Sequence, residues 1–246
     1  MSYSLKKQIA ANTAFIAVFS LIFSLYCIVA SSLFKSANSQ SQSTAASENR
    51  ERKVIVLDPG HGGEDGGTVG VNGVFEKDLN LAVSGMLAPI LRFAGYEVIE
   101  TRTEDILLYD RDVDYKGRKK LLDLAARLEA AQNAMPDIFV GIHMNAFPQE
   151  KYSGLTVYYS KNHPSGYDAA VGVQSAVKTS LQPENNREIK ADGSNIYLLN
   201  RLECPAILIE CGFLSNPAEC EKLCTEEYRR QLSLVFFSSL ASFLEE

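Results

Sequence analysis

The chain has no tryptophan, only 3 histidines and no surplus of positive charge: 24 Lys and Arg stand against 30 Asp and Glu, a net charge of −6. The basic footprint of a nucleic-acid binder is missing, and that class of partner is set aside. The 5 cysteines are odd in number and none is spaced as CxxC, so neither a disulfide scaffold nor a zinc knuckle is expected. Cys220 and Cys224 are neighbours on a helix, where a disulfide would strain the geometry, and read as free thiols. The phosphate-cradling patterns GxGxxG and GK[ST] do not occur, and there are no internal repeats. What remains is an ordinary globular composition, 46% hydrophobic and 22% charged, in a chain of 246 residues.

The composition is not uniform along the chain. After Lys6 and Lys7 comes an uncharged stretch from Gln8 to Phe34, whose core "AFIAVFSLIFSLYCIVA" is about as long as the shortest membrane-spanning helix. It reads as an uncleaved anchor or as a signal peptide, for which "IVASS" offers small residues at a cleavage point. Either reading puts the rest of the chain outside the cytoplasm, anchored in the first case and secreted in the second. Residues 36–50, "SANSQSQSTAASENR", are small or polar and cannot build a core. The expected organisation is a membrane segment over 1–35, a flexible linker over 36–52 and a folded domain over 53–246.

Within that domain, short apolar runs alternate with helical spacing. "KVIVLD", "YEVIET", "DIFVGIH", "GLTVYYS" and "PAILIE" read as strands, several of them continuous enough to be buried on both faces. Residues 77–94, 117–134, 167–181 and 225–244 read as helices. Pro89 should kink or break the first of these, and the second should bury Leu121, Leu124, Ala125 and Leu128. Strands alternating with helices predict an α/β domain with a mainly parallel sheet.

Three of these strands end in a polar residue. "KVIVLD" runs into His61, "DIFVGI" into His143 and "PAILI" into Glu210. Sites in open α/β sheets form beyond the carboxyl ends of strands, so adjacent parallel strands would bring these three together. Taken singly, His61 could be a hydrogen-bonded loop residue and His143 a satisfied core histidine. Glu210 is harder to dismiss, because a carboxylate closing an apolar run must be paired, metal-bound or shifted in pKa. Two histidines and a carboxylate form a catalytic zinc set, and the carboxylate able to join them is Glu76, which alternatively is only a first-turn residue favoured by the helix dipole. Glu64 and Asp65 sit among glycines and read as surface residues. Glu210 is then left as the general base and acid of an amide or ester hydrolysis. His163 reads as a turn residue. Asp58 and Asn145 are partners for the imidazoles or simply turn and cap residues, and Arg111 is either a contact for an anionic substrate or a solvated charge.

Four stretches, "LDPGHGGEDGG", "EKDLNL", "IHMNA" and "IECGFLSNP", resemble the signatures of the zinc-dependent N-acetylmuramoyl-L-alanine amidases, in the same order and spacing. The resemblance covers essentially everything from Lys53 onward. It implies a single α/β domain with a mainly parallel sheet of about six strands flanked by helices. It also implies His61, Glu76 and His143 as ligands of Zn2+, Glu210 as the catalytic glutamate, and peptidoglycan as substrate. The bond cut would join the lactyl group of N-acetylmuramic acid to L-alanine of the stem peptide. A lone catalytic domain behind an N-terminal segment is most similar to the germination-specific spore-cortex amidases. In that group, stem removal prepares muramic-δ-lactam formation, the domain faces the spore intermembrane space, and some members need a lipoprotein partner. A vegetative cell-wall amidase, a zinc peptidase or esterase, and an inactive wall-binding module are the alternatives. One departure from the family pattern is Cys211, where a small aliphatic residue is commoner.

Overall fold

The computed structural model describes residues 52–110, 112, 116–193 and 195–245. The expected membrane segment, the linker up to residue 51 and Arg111 lie outside the described residues. Among those described, no helix is long and apolar enough to cross a membrane.

The element order is β1 (Val54–Pro59), α1 (Glu76–Phe93), β2 (Glu97–Glu100), α2 (Lys119–Ala134), β3 (Ile138–Asn145), β4 (Thr156–Tyr159), α3 (Ser165–Ser180), β5 (Lys190–Ala191), β6 (Ala206–Phe213), α4 (Pro217–Cys224) and α5 (Glu226–Glu245). The six strands form one sheet in the order β2-β1-β3-β6-β4-β5. Every neighbouring pair is parallel except β4 with β6, which is antiparallel. The chain is thus a single α/β domain with a mostly parallel sheet. The strands with continuous apolar runs are the central ones, with Ile55, Val56, Leu57, Ile138, Val140, Ile207 and Ile209 all fully buried.

The two faces of the sheet are covered differently. Helices α1, α3 and α5 place Leu87, Leu91, Val173, Val177, Leu232 and Phe236 against Leu57, Val140 and Ile209. The opposite face meets α2 and residues 196–202, where Ala131, Leu198, Leu199 and Leu202 pack on Val56, Phe139 and Leu208.

Two expectations are met only in part here. Pro89 lies inside α1 without ending it. The carbonyl its ring would crowd, four residues back, belongs to Gly85, which is exposed and side-chain-free, so the missing hydrogen bond falls on the solvent side. In α2 the buried stripe is Asp123, Arg127 and Ala131, while Leu121 is 48% exposed and Ala125 also faces solvent. An ion cluster, described below, takes the most buried positions, while Leu124 and Leu128 stay half-buried and Leu128 packs on the core. The short α4 begins at Asn216, whose side chain accepts from the Glu219 N–H, with Pro217 at the first turn.

Candidate active site

His61 lies two residues past the end of β1, at φ 62. A non-glycine residue there carries roughly 1–2 kcal/mol of strain, so something must hold the turn. Two buried arginines do. Arg127 donates from Nη1 to Asp58 Oδ1 at 2.6 Å and to the Pro59 carbonyl at 3.0 Å, from Nη2 to the His61 carbonyl at 2.6 Å, and from Nε to Asp123 Oδ2 at 2.7 Å. Arg102 donates to the carbonyls of Pro59, Gly60, Lys77 and Glu104. Thr101 Oγ1 adds a 2.5 Å hydrogen bond to Asp58 Oδ1. Burial would raise the Asp58 carboxyl, but Arg127 and Thr101 hold it below its ordinary value. Burial, reinforced by Arg127, lowers the Arg102 guanidinium to about 10. Asp58 therefore serves the turn rather than an imidazole, and Asn145 caps locally, its Oδ1 accepting from the Ala146 N–H.

His61, Glu76 and His143 converge. Glu76 Oε1 lies 3.3 Å from His61 Nε2 and 3.0 Å from His143 Nδ1, and one ligand atom from each residue falls within 4.8 Å of the others. Glu76 opens α1, is 4% exposed, and also accepts from the backbone N–H groups of Met144 and Thr68. Burial alone would push its carboxyl up. The two imidazoles reverse that and hold it well below the carboxylate range. Glycine is required at two points of this approach. A Cβ on Gly60 would lie 2.0 Å from His143 Cε1, and one on Gly67, at φ 65, would lie 2.5 Å from Glu76 Oε2.

Asp65 is not the surface residue the sequence suggests. Its Oδ2 lies 2.9 Å from His61 Nδ1, and its Oδ1 accepts from the Gly67 N–H. The histidine contact is short but bent, an ion pair rather than a well-formed hydrogen bond. Against the opposing effect of burial, Asp65 and Glu76 raise the His61 imidazole to about 9, and His61 lowers Asp65 to about 2. Glu64 pairs with Lys119 at the start of α2. His163 is a turn residue, accepting at Nδ1 from the Ser165 N–H.

Glu210 is opposed to His143 in the β3–β6 register. Its side chain keeps a little solvent contact, yet the carboxyl group is deeply enclosed, and burial, with Glu76 nearby, raises it to about 7. His143 and His61 act the other way without cancelling the rise. Cys211, next along β6, turns to the other face and is fully buried in the apolar core, so its thiol does not reach the site. All four described cysteines are free. A cavity of about 170 Å³ opens beside the histidines on the α2 side, lined also by Asp65, Lys120, Asn195 and Tyr197.

A profile of the N-acetylmuramoyl-L-alanine amidases matches residues 55–240. The chain belongs to this amidase family. Among its relatives, the germination-specific N-acetylmuramoyl-L-alanine amidase of Bacillus subtilis (strain 168) is 32% identical over 194 residues, which is 79% of this chain and 81% of that one. The structure of the CwlD amidase from Clostridioides difficile, in complex with the GerS lipoprotein, superposes with a TM-score of 0.76 at 36% identity, covering 79% of this chain and 99% of that one. An N-acetylmuramoyl-L-alanine amidase from Clostridium difficile 630 gives a TM-score of 0.69 at 31% identity over 79% of this chain and 98% of that one. The family signatures map onto the convergence just described, because each amidase signature closes a strand or opens α1. From the sequence alone Asp65 reads as a surface residue, and neither Arg102 nor Arg127 is singled out. For Arg127 a signal existed: Asp123 and Arg127 stand four apart within an otherwise amphipathic helix, the spacing of an ion pair.

Proposed function

We propose that this chain is a zinc-dependent amidase that cleaves the bond between N-acetylmuramic acid and L-alanine of peptidoglycan stem peptides, in spore cortex maturation needed for germination. One observation carries the chemistry. A carboxyl group that burial holds above its ordinary value, Glu210, stands in register with His143 of a His–Glu–His cluster. Two imidazole nitrogens aimed at one carboxylate oxygen are the donor set of a catalytic zinc site. His61, Glu76 and His143 would hold the ion, which when bound supplies Lewis acidity toward the scissile carbonyl and acidifies water.

The chain's own groups do the rest. Arg127 and Arg102 fix the His61 turn, the Met144 and Thr68 N–H groups fix Glu76, and Asp65 braces His61. Glu210 takes a proton from the attacking water and returns it to the departing amine nitrogen of L-alanine. Burial holds this carboxyl above its ordinary value, which makes it a better proton acceptor than a free carboxylate and leaves it able to return the proton. Family membership and the germination-specific relative support the substrate and the biological setting. Stem removal would leave muramic acid ready for lactam formation by a separate enzyme. The related CwlD amidase in complex with the GerS lipoprotein supports a lipoprotein partner. Residues 1–35 would hold the domain, residues 53–246, at the outer face of a membrane through the 36–52 linker.

The test is mass spectrometry of purified peptidoglycan incubated with the zinc-loaded full-length chain, with and without a lipoprotein partner, beside Glu210→Gln. Free stem peptides beginning with L-alanine should accumulate with the wild type. Glu210→Gln should release them about 10²–10⁴-fold more slowly while still binding zinc. Wild-type rates in the variant would remove Glu210 from the chemistry.

A further inference from the structure

Thr156 opens β4 and stands directly opposite Glu210 in the antiparallel register. Directly opposed residues point to the same face, with Cβ atoms about 4.5–5.5 Å apart. That face is the α2 side, since Leu208 and Tyr158, two residues along each strand, pack there. The row across the sheet is therefore His143 on β3, Glu210 on β6 and Thr156 on β4.

Both members of the β6–β4 pair carry a buried oxygen without a partner. Thr156 is fully buried and its Oγ1 makes no hydrogen bond, and Glu210 Oε2 makes none either. Leaving such groups unmade is costly, about 1–3 kcal/mol for a hydroxyl and more for a carboxylate. Packing does not explain the choice of residue. Valine has the shape of threonine without the stranded hydroxyl, and the same-face neighbours along the two strands, Leu208 and Tyr158, pack in the apolar cluster on the α2 side. A buried, unbonded hydroxyl directly opposite a residue with an equally unbonded carboxylate oxygen has a job other than filling space.

We infer that Thr156 is a positioning residue for Glu210: its hydroxyl donates to Glu210 Oε2 and fixes the carboxylate, leaving the other oxygen to exchange the proton. The inference rests on the amidase reading of Glu210. The β4–β6 register makes the pairing by setting Thr156 level with Glu210.

Thr156→Val and Thr156→Ser in the zinc-loaded full-length chain test this on purified peptidoglycan, with kcat and KM measured separately. Thr156→Val should lower kcat about tenfold to a hundredfold, the penalty for a misplaced catalytic group, with KM and zinc content unchanged. Thr156→Ser, which keeps the hydroxyl and loses the methyl, should stay within about threefold of wild type. A kcat for Thr156→Val within about twofold of wild type overturns the inference, as does a Thr156→Ser variant as impaired as Thr156→Val, since the methyl would then matter rather than the hydroxyl. If the wild type itself releases no stem peptides, the amidase reading is what fails. The pairing is then decided by urea unfolding of Thr156→Val, Glu210→Met and the double variant: non-additive stabilities support the contact, and additive ones overturn it.

Discussion

The two faces of the sheet solve the same problem with different materials. On one face, α1, α3 and α5 bury leucine, valine and phenylalanine against the strands. On the other, α2 reaches the sheet through Asp123 and Arg127, which meet Asp58 and the carbonyls of Pro59 and His61. Hydrocarbon packing is non-directional and tolerates small rearrangement. An arginine fork specifies direction, because each N–H must meet its own acceptor. His61, His143 and Glu210 lie along the directional face, where a histidine in a strained left-handed turn has to be held, and Glu76 reaches them from the start of α1. The first face supplies stability alone, and the second adds to a smaller apolar cluster the ion contacts that supply geometry.

The sharpest way to break this comparison is to cut one residue on each side. Arg127→Met leaves Asp58 and Asp123 buried without their cation and should cost about 3–5 kcal/mol in chemical denaturation. Leu87→Ala on the apolar face should cost about 2–5 kcal/mol. Stability alone does not separate them, but zinc affinity does: it should fall in Arg127→Met and hold in Leu87→Ala. Equal loss of affinity in both would erase the division of labour.

A second prediction concerns the carboxylate that the ionic face leaves unneutralised. Glu210 keeps its proton in the metal-free folded protein up to about pH 7, against an ordinary value of 4.5. Between those two values the folded state binds more protons than the unfolded state, so this group makes stability fall as pH rises. Glu210→Gln removes that loss. The variant should gain on the metal-free wild type from pH 4.5 upward and level off above pH 7, about 1–3 kcal/mol ahead. Thermal melts across that range read it directly, and a gain that does not depend on pH would contradict it. A bound cation at the ligand cluster favours the carboxylate, so the acid limb of activity in the zinc form should lie below pH 7.

The ligand cluster itself gives the next effect. His61 rises to about 9 when no metal is present, so a metal must displace a proton from it at neutral pH. Apparent zinc affinity should therefore increase about tenfold per pH unit below 9, and titration calorimetry in buffers of different ionisation enthalpy should count the proton released. The smallest effect lies on the outer side of α2. Leu121→Gln should shift stability by less than about 0.5 kcal/mol, because Leu121 is on the solvent side and Arg127 is not. A large loss would restore the leucine face that the spacing predicts.

Much of this was legible in the sequence, for a physical reason. A strand buried on both faces must be apolar throughout, so the polar residue that ends it stands out, and parallel strands aim those ends at one edge. That made His61, His143 and Glu210 visible as a set, with Glu76 at the start of the next helix. The apolar count in α2 misled because Asp123 and Arg127 are buried by partners on β1, about which local spacing carries no information. The same holds for Asp65, which is close to His61 only because the chain turns through a left-handed residue. Nor could spacing foretell the β4–β6 register that sets Thr156 opposite Glu210.

The carbonyl of His61 is held by Arg127, so α2 belongs thermodynamically to the ligand cluster although it contributes no ligand atom. Undocking that one helix would free the turn to relax out of its left-handed conformation and scatter the cluster. Conversely, whatever tightens the cluster must slow the opening of α2. The site and the helix behind it rise and fall as one cooperative unit.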